Sequence, residues 1–268
     1  MAVLLLLGVL ACGLLGLRWL DHSVFSSGTA STPPPPKPIA TVKLVVPEGF
    51  AIRDIARRVP TIGIPRKTYL AAVAAAHPPA GYKATGKERL GMEGFLFPAT
   101  YELAKPVSAR ILVAQQLQAF ARRTSGVDYR YAGKHGLTRY DVLIIASMIE
   151  REAAAPGDRP KIAAVIYNRL KKGDVLGIDA TVQYAAGSWG PVTQRELDSR
   201  SPYNTRKVKG LPPTPICNPG LASIQAAANP AKVPYLYYVA IPGDAQRRHF
   251  FTASFGAFTA YIQKHGIK

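Results

Sequence analysis

With 268 residues and 48% hydrophobic side chains, the chain can bury one core, or one core and a small satellite domain. Its 34 Lys and Arg against 16 Asp and Glu give a formal charge of +18, a field that attracts polyanions: nucleic acid, anionic lipid or acidic wall polymers. Two cysteines, Cys12 in an apolar leader and Cys217 in a Pro-rich loop, exclude a disulfide framework, and there is no His-Glu-x-x-His, paired-cysteine or Gly-rich phosphate motif.

Residues 1–20 are almost wholly apolar, and about 20 residues is the length a helix needs to cross a bilayer core. Arg18 and Trp19 suit the membrane interface. No small-x-small pattern precedes Asp21, so an uncleaved transmembrane anchor is expected rather than a signal peptide. An exported chain rarely meets nucleic acid, so none is expected as a partner. Residues 21–40, with Pro33 to Pro36, cannot pack a core and read as an extended linker. Val42, Leu44 and Val46 then alternate as in a short strand, and Pro47-Glu48-Gly49 is a turn. Ile52, Ile55, Ala56 and Val59 repeat at helical spacing, with Arg53, Asp54, Arg57 and Arg58 on the opposite face. A second helix is expected over 66–76, after Pro65 and before Pro78. Strand, helix, helix over 41–81 resembles a LysM-like module, a fold often used to hold glycans.

From residue 82 the texture changes. Residues 91–103 read as loop and short strand, and 107–123 as an amphipathic helix with Ile111, Ala114, Leu117, Ala119 and Phe120 on one face. The strongest helix is 138–152, where Thr138 caps and Asp141 reaches back. Its body, 142–149, is apolar all round and therefore belongs in a core, and it is too short to be a second membrane span. A further helix over 158–173 has Asp158 as cap, Pro160 in its first turn and Gly173 at its end. A Pro- and Gly-rich loop over 201–220, a helix over 221–228, a strand over 235–241 and a helix over 255–265 complete an α+β chain without internal repeats.

Chemistry points first to Glu150. On a 3.6-residue period it lies beside Leu143, Ala146 and Ser147, and a glutamate on such a face loses solvation, which favours its neutral form. A neutral Glu can donate a proton to a leaving oxygen, as glycosidic cleavage demands. Spacing alone leaves two alternatives: an ion pair of Glu150 with Arg151 or Arg169, and Glu152, beside Ile145 and Met148, as the important acid. Asn168, Asp179, Thr181, Gln183 and Tyr184 form a second polar set, in which Asp179 is either a second acid or a helix cap. Ser201-Pro202-Tyr203-Asn204-Thr205 offers groups that bind sugars, or ordinary turn chemistry. Cys217 with His249 as nucleophile and base has no supporting motif, and a buried free thiol is commoner.

Several segments together carry a resemblance. They are Glu93-Gly94-Phe95-Leu96-Phe97-Pro98-Ala99-Thr100-Tyr101, Ala146-Ser147-Met148-Ile149-Glu150-Arg151-Glu152, Val165-Ile166-Tyr167-Asn168-Arg169-Leu170, Asp179-Ala180-Thr181-Val182-Gln183-Tyr184, Ser201-Pro202-Tyr203-Asn204-Thr205 and Gly210-Leu211-Pro212-Pro213-Thr214-Pro215-Ile216, continuing to Asn218-Pro219-Gly220. In this order, from about Val42 to the C-terminus, the chain resembles the endolytic murein transglycosylases, the MltG or YceG-like family. The resemblance implies a membrane anchor (1–20), a Pro-rich linker (21–40), a LysM-like subdomain (41–81) and a mixed α+β catalytic domain (82–268). It implies a single pass of the inner, cytoplasmic membrane with the catalytic domain on the extracytoplasmic side. It assigns the acid to Glu150 and matches Asn168, Asp179, Gln183, Tyr203 and Asn204 as substrate-binding positions. It implies no metal or organic cofactor. The implied partners are peptidoglycan glycan strands and the cell membrane, with peptidoglycan synthases as further candidates. The expected reaction cuts the MurNAc-GlcNAc β-1,4 bond and leaves 1,6-anhydroMurNAc ends. A muramidase-type hydrolase, with Asp179 activating water, and a non-catalytic wall-binding scaffold are the alternatives. The chain departs from the family's habit in having Ala180 where Pro is frequent and Thr214 where Gly is frequent.

Overall fold

The computed structural model describes residues 39–84 and 90–267. The expected anchor and all but the last two residues of the linker lie outside the described residues. Among the described residues no helix is long and apolar enough to cross a membrane.

The alternation of Val42, Leu44 and Val46 produces strand β1 (Thr41–Val45), which buries Leu44. A turn at Pro47 to Gly49 leads into α1 (Ile52–Arg58), which buries Ile55 and Ala56, and a 3-10 turn over Val59–Ile62 stops at Gly63 in the left-handed region. Helix α2 (Arg66–Ala74) follows Pro65. Strand β2 (Thr100–Ala104) pairs antiparallel with β1, Leu44 opposite Tyr101, so the chain before residue 81 shares a two-stranded sheet with the chain after it.

Helix α3 (Ala109–Thr124) starts at the Ser108 cap, but its buried face differs from the expected one. Ile111 is 54% exposed and Ala114 is also outside, while Leu112, Val113, Gln116, Ala119 and Phe120 face inward. The stripe is rotated by about one residue because Gln116 has a buried partner, the Tyr69 hydroxyl at 3.1 Å.

A short α4 (Arg130–Lys134) precedes α5 (Arg139–Glu152), the axis of the core. Its cap is as expected: Thr138 N donates to Asp141 Oδ2 at 2.6 Å and Asp141 N donates to Thr138 Oγ1 at 3.1 Å. Every residue from 140 to 149 is buried. The polar Ser147 is tolerated there because Oγ donates to Ile144 O and accepts from Ile216 N.

Helix α6 (Arg159–Lys172) ends at left-handed Gly173. Asp158 does not cap it with its side chain; that carboxylate accepts instead from His249 N at 2.7 Å and faces His249 Nδ1 at 3.0 Å. Helices α7 (Asp179–Ala186) and α8 (Gln194–Leu197) lead to the ordered loop and to α9 (Leu221–Ala228), which packs on α5 and α6. The expected C-terminal strand is shorter, β3 (Tyr237–Ala240), and pairs antiparallel with β4 (His249–Thr252). Helix α10 (Phe255–His265) buries no residue fully and meets this hairpin through rings, Phe250 on Tyr261 at 4.1 Å and Tyr237 on Phe258 at 5.3 Å. The result is a mostly helical α+β architecture with two small sheets, in which Ile39–Lys268 forms one compact unit.

Candidate active site

The apolar body of α5 delivers Glu150 and Glu152 from its last turn into two different surroundings. Glu150 is half-buried, and its Oε2 accepts a hydrogen bond from Gly220 N, at the start of α9, at 3.0 Å. The Glu48 carboxyl lies on the same glycine and fills the space a Cβ on Gly220 would need. Gly49, at a φ of +80°, lies against the aliphatic part of Glu150 and the side chain of Arg151. Two glycines therefore let the 47–49 turn and the 218–220 loop close on Glu150 from two sides. The Glu48 carboxyl is raised above the ordinary carboxylate range, first by burial and then by the Glu150 charge, and is partly restored by Arg159.

Asn218 holds these walls together. Its backbone accepts from Gly49 N at 3.0 Å and donates to Phe50 O at 2.9 Å. Its Oδ1 accepts from Gly94 N and Leu96 N at 3.0 and 2.9 Å, and its Nδ2 donates to Phe50 O and Glu93 Oε1. Glu93 is pushed up to about 8 by burial, against the opposing pull of Ile52 N–H and the Tyr184 hydroxyl that donate to it. Two segments far apart in sequence, 49–50 and 93–96, are thus tied to one residue beside Glu150.

Glu152 is occupied differently. Tyr238 Oη donates to its Oε2 at 3.1 Å and Ala180 N–H supports its charge, so this side chain ties β3 to the start of α7. Burial raises its proton affinity, and nearby Asp179 adds to that. Asp179 itself is ion-paired with Arg206 on this side of α5. The first residue of α7 rather than its cap, it follows Ile178 in the capping position.

The other sequence-derived residues serve mainly backbone. Asn168 Nδ2 donates to Val233 O and Tyr235 O at 3.0 and 2.8 Å. Gln183 Nε2 donates to Gly190 O at 2.9 Å and steadies the loop that carries Trp189. Buried Asn204 donates to Leu197 O and Ser199 O, and its Oδ1 accepts from Arg206 N. The Tyr203 hydroxyl meets Thr214 Oγ1 at 2.8 Å, with its ring beside Tyr184. Thr181 and Thr205 share a hydroxyl contact of 2.9 Å. Among the described residues neither Arg151 nor Arg169 forms an ion pair with Glu150. Arg151 lies 3.8 Å from the Trp189 ring centroid and Arg169 donates to Leu236 O and Leu176 O. Cys217 and His249 have separate partners, Ser147 O and Asp158, and burial pushes the Cys217 thiol up, away from nucleophilic use.

Glu48 and Trp189 were not singled out by sequence reasoning. Glu48 sits in a segment whose turn chemistry was sufficient explanation for it, and nothing in the spacing around Trp189 marks that ring.

Comparison with known proteins shows the family to which the chain belongs. The YceG-like family model matches residues 30–264. An endolytic murein transglycosylase of Bacillus subtilis (strain 168) is 42% identical over 153 residues, 56% of this chain and 42% of that protein. One of Streptococcus pneumoniae (strain ATCC BAA-255 / R6) is 30% identical over 233 residues, 78% of this chain and 42% of that protein. The chain thus spans less than half the length of these curated relatives. The crystal structure of a yceG-like protein from Listeria monocytogenes superposes with a TM-score of 0.70 at 31% identity, covering 82% of this chain and 75% of that one. By its sequence over nearly its whole described length, and by its fold, the chain belongs to the YceG-like family.

Proposed function

We propose that the chain is an endolytic lytic transglycosylase that cuts peptidoglycan strands, with Glu150 as acid and then base. The observation that carries this is the half-buried Glu150 carboxyl at the end of an apolar helix, held by Gly220 N–H and flanked by a second carboxyl, Glu48. Burial and the neighbouring Glu150 raise the Glu48 carboxyl above the ordinary carboxylate range, with Arg159 opposing. Glu152, by contrast, is committed to Tyr238 and Ala180.

In this mechanism Glu150 gives its proton to the oxygen between MurNAc and GlcNAc, and the C–O bond breaks toward the leaving sugar. The substrate's own N-acetyl group supports the positive charge at the anomeric carbon. Glu150, now a carboxylate, takes the proton of the muramoyl 6-hydroxyl as that oxygen bonds to the same carbon. The product is a 1,6-anhydromuramoyl end. The nucleophile is already attached at high effective concentration, so a second enzymic carboxylate is not required. Setting the length of nascent strands is the role such an activity fits.

A hydrolytic reading has one specific observation in its favour, the presence of Glu48. If water were the nucleophile, Glu48 rather than Asp179 is the carboxylate beside Glu150, since Asp179 is engaged with Arg206 on the Glu152 side. Asn168, Gln183 and Asn204 fit a role in positioning the walls of the cleft, and Tyr203 one nearer to sugar. The β1, α1, α2 order supports reading 41–81 as a LysM-like glycan holder. A membrane anchor over 1–20 with the catalytic part on the extracytoplasmic side fits the charge of +18, which favours anionic lipid and acidic wall.

Mass spectrometry of peptidoglycan digested by the full chain, beside Glu150→Gln, tests the proposal. Anhydromuramoyl ends from the unaltered chain alone support it. Reducing ends mean hydrolysis, and binding without cleavage by either protein means a scaffold.

A further inference from the structure

A groove of about 520 Å³ has Phe50, Asp54, Arg57, Arg58, Arg151 and Trp189 among its lining residues. Its cations outnumber its acids. The single carboxylate, Asp54, is already used: it accepts from Ala51 N at 3.0 Å and from Trp189 Nε1 at 2.9 Å, and lies 3.3 Å from Arg57 Nη1. Among the described residues Arg58 and Arg151 form no ion pair, and the buried Arg151 Nε has no hydrogen-bond partner. Arg151 is nevertheless held in place, its guanidinium 3.8 Å from the Trp189 ring centroid, with Arg53 4.8 Å from the same ring. The groove is therefore an electropositive pocket with aromatic walls, in which Arg151 is held by the Trp189 ring.

Its position relative to Glu150 gives the pocket a role. Gly49 touches Glu150 Cγ at 3.7 Å and Arg151 Nη1 at 3.5 Å, measured from where a Cβ would stand. Arg151 directly follows Glu150 and both side chains neighbour Gly49, so a polymer held at Glu150 can reach the Arg151 guanidinium with a substituent. On the reading that the polymer is peptidoglycan, the substituent is the short peptide on the lactyl group of MurNAc, which ends in carboxylates. Arginine is the side chain best matched to carboxylates, by its planar fork of donors.

We infer that this groove seats the carboxylates of the glycan's stem peptide, so that the chain selects peptide-bearing strands over bare glycan. The inference rests on the function proposed above for its substrate, and deepens it. An anionic lipid headgroup is the less suitable occupant, because Arg151, a wall of the groove, directly follows Glu150 and shares Gly49 with it as a neighbour, so a ligand here lies beside what Glu150 acts on.

The test uses the full chain carrying Glu150→Gln, titrated calorimetrically with a GlcNAc-MurNAc tetrasaccharide bearing its peptides and with the same sugar stripped of them. The peptide-bearing sugar is expected to bind about tenfold more tightly, the scale of one or two charge-assisted contacts. That ratio falls toward one when Arg58→Gln is added, and equally when the peptide carboxylates are amidated and the protein is left otherwise intact, an arm that does not depend on a variant folding. Equal affinity for the two sugars overturns the inference. So does a preference that survives both Arg58→Gln and Arg151→Gln, since the peptide is then held elsewhere. A clear preference in binding, with no cleavage of either sugar by the unaltered chain, removes the proposed catalysis and leaves the groove assignment standing.

Discussion

At the scale of single residues the site turns on Glu150 and the Glu48 carboxyl beside it. Replacing Glu150 by Gln keeps the shape and the Gly220 bond but removes the transferable proton, so kcat is expected to drop by about a thousandfold. Glu48→Gln separates the two chemistries. If the muramoyl 6-hydroxyl attacks, Glu48 acts only on the charge around Glu150 and a loss of about tenfold in kcat is expected. If water attacks, Glu48→Gln falls as far as Glu150→Gln. Initial rates on one polymeric substrate decide between them. Gly220→Ala should mimic neither: a methyl group there displaces the Glu48 carboxyl and disturbs the Gly220 N–H bond that holds Glu150, and misplacing Glu150 costs about a hundredfold in rate while leaving the melting temperature near its original value. Glu93 makes a prediction about stability. Its carboxyl is raised from 4.5 to about 8, so the folded chain binds more protons than the unfolded one between those values. Stability is then fullest below the lower value and declines as pH rises toward the upper one. In Glu93→Gln that decline should vanish from a series of thermal melts across the same range, and a slope that persists assigns the loss to another group.

At the scale of elements the cooperating pieces are α5 and the segments stapled around its end. Asn218 is the staple, with hydrogen bonds to the 49–50, 93–94 and 96 regions. Asn218→Ala leaves buried Gly94 and Leu96 N–H groups without their acceptor, and a loss of about 3 kcal/mol in urea unfolding is expected. Helix α5 was legible in the sequence because its signals agree: a capping pair, Thr138 and Asp141, and a run of apolar residues too uniform for a surface. The helix read over 255–265 is bounded in the fold by a Ser254 side-chain cap and by left-handed Gly266. Helix α3 was legible as a helix but not in its orientation. Two stripes one residue apart both look apolar, and the decision rests on Gln116 finding Tyr69 across 47 positions of sequence. Asp158 misled in the same way, since a side chain that suits a helix start also suits His249, and the tertiary partner won. The neighbours of Glu150 were hidden because Glu48, Glu93 and Asn218 meet only through long-range folding. The periodicity of α5 identifies two glutamates on different faces and cannot say which face is open.

At the scale of the whole molecule the charge of +18 acts in more than one way. Within the fold, many of the cations answer local needs: Arg206 holds Asp179, Lys207 holds Asp198, and Arg248 holds Asp244. The groove beside Glu150 differs, since its arginines are arranged around one carboxylate that is already engaged. Two kinds of electrostatic attraction should therefore be separable by salt. Diffuse attraction between a basic chain and an acidic polymer is screened over a Debye length of about 8 Å at physiological ionic strength. It acts on encounter and appears in KM. A pairing at Arg151 is short and, with that guanidinium partly buried against the Trp189 ring, screened less. Raising sodium chloride through the physiological range should accordingly increase KM on insoluble peptidoglycan several-fold, as the long-range field of the basic surface is screened, while the affinity ratio of peptide-bearing to bare tetrasaccharide changes by less than about twofold. A kcat that stays constant across the series places the salt effect before the chemical step. If the affinity ratio instead falls in parallel with the rise in KM, the groove contributes only to the general field, and the selectivity assigned to Arg58 and Arg151 belongs to the surface as a whole.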